Sequence, residues 1–121
     1  MENLTMLQAA VVIFAVAAGG GLLMAGIRFF ANINPPAWIA MVHGLLAASG
    51  LTLAIYSALT TGVPAAAQLA IVLLVLAAAG GAFLNLGYQW KQKLLPATIV
   101  VGHAVLAVLG FGLLAKAAFL G

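Results

Sequence analysis

Residues 8–60 and 68–120 carry one apolar pattern twice, at a constant offset of 60 and without a gap. The identical pairs include Gln8/Gln68, Ala17/Ala77, Gly20/Gly80, Gly21/Gly81, Pro36/Pro96, Ile39/Ile99, His43/His103, Ala47/Ala107 and Gly50/Gly110. Both copies contain Pro-x6-His-x3-Ala-x2-Gly, and His43 and His103 are the only histidines in the chain. Whatever one copy folds into, the other must repeat. The chain therefore reads as a single domain, 1–121, made of repeat one at 1–60 and repeat two at 61–121.

Of the 121 residues, 67% are hydrophobic and 4% charged, which is more apolar surface than a water-soluble domain of this size can bury. Membrane lipid is the expected surrounding. Four apolar stretches, at 6–27, 36–59, 66–87 and 96–119, are each long enough to cross a hydrocarbon core of about 30 Å as a helix. Backbone groups cannot stay unpaired in hydrocarbon, so these stretches must be helical. Pro36 and Pro96 suit the first turn of helices two and four, where a missing N–H costs nothing. The short, turn-rich link Thr61-Gly62-Val63-Pro64 makes helices two and three antiparallel neighbours. The expected fold is an all-α membrane protein, a four-helix transmembrane bundle of two parallel two-helix repeats.

Arg28, Lys91 and Lys93 fall at the end shared by loops one and three, and Lys116 at the other end. Counting positive charge places loops one and three in the cytoplasm and both termini outside. The expectation is a multi-pass protein of a bacterial inner membrane with periplasmic termini. Met1-Glu2-Asn3 lacks the positive start of a secretory signal, so no cleaved leader is expected.

Two helices return the chain to the side it left, so the repeats are related by a pseudo-twofold axis along the membrane normal. In an up-down-up-down bundle helices two and four lie diagonally across the centre. His43 and His103 then sit at equal depth, about 10 Å of helix beyond Pro36 and Pro96, in the cytoplasmic half. Ionisable side chains in lipid are costly and mark function by default. His43, Ala47 and Gly50 share one helix face, and His103, Ala107 and Gly110 repeat it. Gly19-Gly20-Gly21 and Gly80-Gly81 lie on the two helices without histidine. Glycine costs roughly 1 kcal/mol per site in a helix, so such clusters suggest that something bulky approaches the backbone.

This arrangement resembles haem-b-binding four-helix bundles such as the core of cytochrome b, where glycines on helices one and three make room for the porphyrin and histidines on two and four ligate iron. The likeness covers all four helices but is one of arrangement. Cytochrome b has two histidines on each ligand helix and two haems, whereas this chain has one per helix. The resemblance thus implies one haem b per chain, with His43 and His103 as axial ligands and Gly20 and Gly80 as spacers. Ala47, Ala107, Gly50 and Gly110 would line the wall. Arg28, Lys91 and Lys93 lie on the side where the propionates would emerge. Asn85 would bond a propionate or an imidazole N–H, or else form a helix–helix hydrogen bond. Two axial histidines leave no open position, which implies low-spin iron and electron transfer. The chain would then be an electron carrier or oxidoreductase subunit rather than a stand-alone enzyme. Quinone and further redox subunits are candidate partners, and homo-oligomers stay open.

Two other readings stand beside this one. The histidines could be interhelical glue in a cofactor-free scaffold or accessory subunit, with imidazoles bonded to Ser49, Thr52, Thr98 or a carbonyl. Alternatively, each could hold its own magnesium in a chlorophyll or bacteriochlorophyll. Met24 and Met41 give weak support for copper, since Met41 and His43 point to different faces. Glu2 is the only acid, which argues against hydrolytic chemistry and carboxylate-dependent pumping. Cysteine is absent, which excludes thiolate metal sites, and no basic patch points to nucleic acid.

Overall fold

The computed structural model describes residues 3–121. Glu2 and the start of the chain lie outside them. The helices are α1 (Asn3–Gly26), α2 (Ala37–Thr60), α3 (Ala65–Leu84) and α4 (Ala97–Phe119). A 24-residue helix is about 36 Å long at 1.5 Å per residue. All four are long and apolar enough to cross a membrane, and no strand occurs among the described residues.

The helix starts follow the prolines, shifted by one position. Pro36, Pro64 and Pro96 are the residues just before α2, α3 and α4, rather than the first helical residues expected for Pro36 and Pro96. Their extended backbone sets the chain's entry, and their carbonyls accept the first helical N–H groups of Ala40, Gln68 and Val100. The ends of α1 and α3 also match each other. Each runs into a widened π turn, at Ile27–Ala31 and Asn85–Gln89. Asn32 and Gln92, 60 apart, then take left-handed backbone conformations at φ 55° and reverse the chain.

The helices form an up-down-up-down square. α1 packs most extensively on α2, and α3 on α4, while α1 against α4 and α2 against α3 close the ring more loosely. α2 and α4 are thus diagonal. The side-chain distribution suits a lipid solvent. Alanine is the commonest buried residue, whereas Leu22, Leu45, Leu59, Phe30 and Trp38 point outward. Small residues let transmembrane helices approach closely, because lipid offers no hydrophobic drive to bury large ones.

The contiguous apolar cluster is one-sided, although Ala17, Ala77, Leu84 and Val100 are also buried in the other half. Leu7, Ala10, Val11 and Phe14 meet Ala54, Ala67, Ala70, Leu74, Leu114, Ala117 and Ala118, all in the half nearest loop two and the chain ends. At that end Gln8 Nε2 donates to the Ala118 carbonyl (3.1 Å), and Gln68 Nε2 to that of Val63 (3.2 Å). The opposite end is tied by its loops. Asn34 bonds the backbone of loop three twice, donating to the Lys93 carbonyl (2.6 Å) and accepting from Leu95 N–H (2.9 Å). Gln89 Nε2 donates to the Pro35 carbonyl at 2.8 Å. Between these fastenings the inward surface is made of Gly20, Gly21, Gly80, Gly81, His43 and His103, each only partly buried.

Candidate functional site

The 60-residue offset brings the two histidine rings together across the diagonal. Their ring centroids are 6.2 Å apart and the planes are nearly perpendicular, at 78°. Each ring is held by the neighbouring helix of its own repeat. His43 Nδ1 lies 2.7 Å from the Ala17 carbonyl, and His103 Nδ1 lies 2.7 Å from that of Ala77. A carbonyl oxygen has no proton to give, so Nδ1–H is the donor in both rings. In a neutral imidazole the lone pair then belongs to Nε2. Neither Nε2 hydrogen-bonds any described residue.

The glycines let the rings reach those carbonyls. A Cβ at Gly20 or Gly80 would lie 3.8 Å from the Cβ of His43 or His103, in ordinary contact. A Cβ at Gly21 would meet His43 Cε1 at 3.0 Å, and one at Gly81 would meet His103 Cε1 at 3.1 Å. The first space these glycines open is therefore for the imidazole. Gly21 and Gly81 make the tighter contact. Gly19 has nothing within 4 Å of an added Cβ and takes no part.

Other residues expected at the site are placed differently. Gly50 faces the Phe14 ring, with an added Cβ 3.1–3.2 Å from three of its carbons. Gly110 faces Leu74, at 2.8 Å from its Cγ. These two glycines serve the packed half, two turns from the histidines, because Phe14 and Leu74 fill the face they leave bare. Ala47 borders that core, and Ala107 is half-buried. Arg28 is not a free cation at the interface. It is 9% exposed, its Nε donates to the Leu95 carbonyl (2.7 Å) and its Nη1 to Asn32 Oδ1 (3.1 Å). It clamps loop one to loop three. Asn85 does not bond an imidazole, since Ala77 takes that N–H. Its carbonyl accepts from Trp90 N–H (2.9 Å), and its half-buried side chain hydrogen-bonds no other described residue.

Family models, curated proteins and solved structures yield no match to this chain.

What the site can do follows from its own geometry. Two metal–imidazole bonds of about 2 Å each, with a further ~1 Å from each nitrogen to its ring centre, give a centroid separation of about 6 Å. The rings therefore stand as far apart as two imidazoles sharing one metal ion would. Among the described residues no group of three or more His, Asp or Glu side chains could hold a metal ion. Sequence reading allows a carbonyl as imidazole partner but does not say that it is that of Ala17 or Ala77. The pair Ala17/Ala77 is visible as an identity, but a backbone oxygen leaves no signature in residue type beyond the small side chain that exposes it.

Proposed function

We propose that the chain binds one haem b between His43 and His103 as a bis-histidine, low-spin centre for electron transfer. The observation that carries this reading is the histidine pair itself. The rings lie 6.2 Å apart, and both Nδ1–H groups are committed to helix carbonyls, which leaves the Nε2 lone pairs for a metal. A bare ion such as zinc wants four protein ligands in a structural site, whereas a macrocycle brings its own and needs only the axial two. The confinement of the contiguous apolar cluster to the other half also favours a flat guest on the loop-one and loop-three side. When bound, the iron supplies one-electron chemistry.

The chain's own residues would orient the group. Phe14 and Leu74 close the far side with apolar surface, so the anionic edge faces loops one and three. Asn85, one turn beyond Gly81, offers an unengaged carboxamide there. The exposed Lys91 and Lys93 supply positive charge at the same end, while Arg28 is already engaged by Leu95 and Asn32. The 6.2 Å separation of the rings also counts against a chlorophyll on each histidine, because two stacked macrocycles between them would need the imidazoles farther apart.

Purified from haem-replete cells and reduced with dithionite, the protein should show the sharp paired visible bands of six-coordinate low-spin haem b, near one haem per chain. A colourless preparation overturns the reading. One observation favours a second function, interhelical glue in a haem-free subunit: each Nδ1 bond joins two helices. That role uses one nitrogen of each ring and leaves the other idle.

The setting we infer is a bacterial inner membrane, with loops one and three cytoplasmic and both termini periplasmic. Arg28, Lys91 and Lys93 support that orientation. Reporter fusions after residues 32 and 92 should read cytoplasm, and a fusion at Gly121 should read outside. The reverse pattern would place the haem in the outer half of the membrane.

A further inference from the structure

The two imidazoles are not only close but also crossed, and the structure points to the backbone features that cross them. Each ring is gripped at two adjacent edges. The Ala17 carbonyl holds Nδ1 of His43, and the bare Cα of Gly21 faces the neighbouring Cε1. Ala77 and Gly81 do the same for His103. An added Cβ at Gly21 would stand 3.0 Å from Cε1, 3.5 Å from Nδ1 and 3.9 Å from Nε2. It would approach obliquely, from the Nδ1 side. With Nδ1 bonded to a carbonyl and Nε2 on a metal, the ring cannot slide away. Its easiest relief is to turn about its bond to Cβ, which changes its plane. Gly20 and Gly80 exert weaker control: an added Cβ at Gly20 meets only the His43 Cβ, and one at Gly80 meets the His103 Cβ and Nδ1, all in ordinary contact at 3.8 Å.

We propose that Gly21 and Gly81, together with the Ala17 and Ala77 carbonyls, are positioning residues that hold the axial imidazoles near 78° and thereby set the electronic state of the iron. This rests on the haem reading above. The physics is that of ligand π donation. Two parallel imidazole planes raise the same iron dπ orbital and split the pair. Two crossed planes raise one orbital each and leave them nearly degenerate. Low-spin ferric iron with near-degenerate dπ orbitals gives a strongly anisotropic electron paramagnetic resonance signal, dominated by one large g value. Split orbitals give a rhombic signal with every g value resolved. Hydrogen bonds to the outer nitrogen are a recognised means of fixing a ligating ring. Here the carbonyl sets one edge and the glycine permits it.

The test uses the oxidised, haem-loaded full chain. The wild-type protein should show the single large g value. Gly21→Ala and Gly81→Ala should keep haem near one per folded chain, keep the low-spin optical bands, and move the signal toward the rhombic form. Gly19→Ala is the control. It lies in the same glycine run but faces open space, so it should leave the signal unchanged while sharing any general effect of alanine on the helix. A rhombic wild-type signal overturns the proposal, as do Gly21→Ala and Gly81→Ala proteins with the wild-type signal. Loss of haem from both alanine variants also overturns it, because the glycines would then serve retention and not orientation. A wild-type chain that takes up no haem refutes the haem reading instead, which separates the two failures.

Discussion

His43→Ala and His103→Ala should each strip most of the haem from a chain that still folds. The two halves of that expectation come from different parts of the bundle. Folding should survive because the contiguous buried cluster, from Leu7 to Phe14 on α1 and Leu114 to Ala118 on α4, lies in the half away from the histidines. Each substitution removes one hydrogen bond, to Ala17 or Ala77, and interhelical bonds in membranes contribute about 1 kcal/mol. On the proposed haem reading, retention should fall because one of only two protein ligands would be gone. Losing even an outer partner of a metal ligand weakens metal binding by about 10–100-fold, and losing the ligand itself should do no less. The iron that remains should bind carbon monoxide or added imidazole in the vacated position, which the wild-type centre should refuse. The pseudo-twofold symmetry sharpens the test, since the two variants should match each other. The glue reading predicts the opposite: less folded protein with either variant and no spectral consequence. The deciding measurement is haem per folded chain, with carbon monoxide difference spectra on the same samples. Full haem and an unchanged spectrum in both variants would return the histidines to packing.

Much of this architecture was legible because the physics of lipid leaves few choices. Each of the four apolar runs had to be a helix, and the observed boundaries lie within a few residues of those read from hydropathy. The constant offset of 60 placed the histidines on diagonal helices at equal depth, and they face each other at 6.2 Å. Less legible was anything decided by the backbone. The π turns that end α1 and α3, and the left-handed Asn32 and Gln92, have no strong residue signature. Charge counting places Arg28 at the loop-one and loop-three end but sees its position and not its partners. Its engagement by Leu95 and Asn32 depends on how two loops meet, and those loops are 60 residues apart. The glycines were harder still. Gly50 and Gly110 share a helix face with the histidines by spacing, yet the facing helices present Phe14 and Leu74 at that height and so assign them to the core. Periodicity says which residues share a face. It does not say what the opposite helix offers at each level.

That division of glycines should separate loss of fold from loss of haem. Gly110→Leu is expected to be among the most destabilising single changes in the chain. Its Cβ would lie 2.8 Å from Leu74 Cγ and 3.0 Å from its Cδ2, and, less forgivingly, 3.2 Å from the Ala70 carbonyl oxygen. A side chain can rotate away, but backbone in a helix cannot. Inserting bulk into a packed core costs about 1–3 kcal/mol and more where the backbone must shift. Pushing α3 from α4 would also open the tightest helix pair in the bundle. Folded yield and thermal stability in detergent should drop sharply, while the protein that does fold keeps its haem. Gly20→Leu and Gly80→Leu should behave in the reverse sense. Their Cβ atoms find ordinary contacts at 3.8 Å, so the fold tolerates them, but the rest of the leucine projects into the thin-walled half beside the imidazoles and should lower haem per folded chain. Gly112→Leu, on an outward face of α4 with nothing within 4 Å, should change neither quantity. Plotting folded yield against haem per folded chain for these four variants should place Gly110→Leu on one axis and the Gly20 and Gly80 variants on the other. If all three fell together along a single diagonal, the packed half and the histidine half would be one cooperative core, and the space beside His43 and His103 would be ordinary helix packing with no guest to exclude.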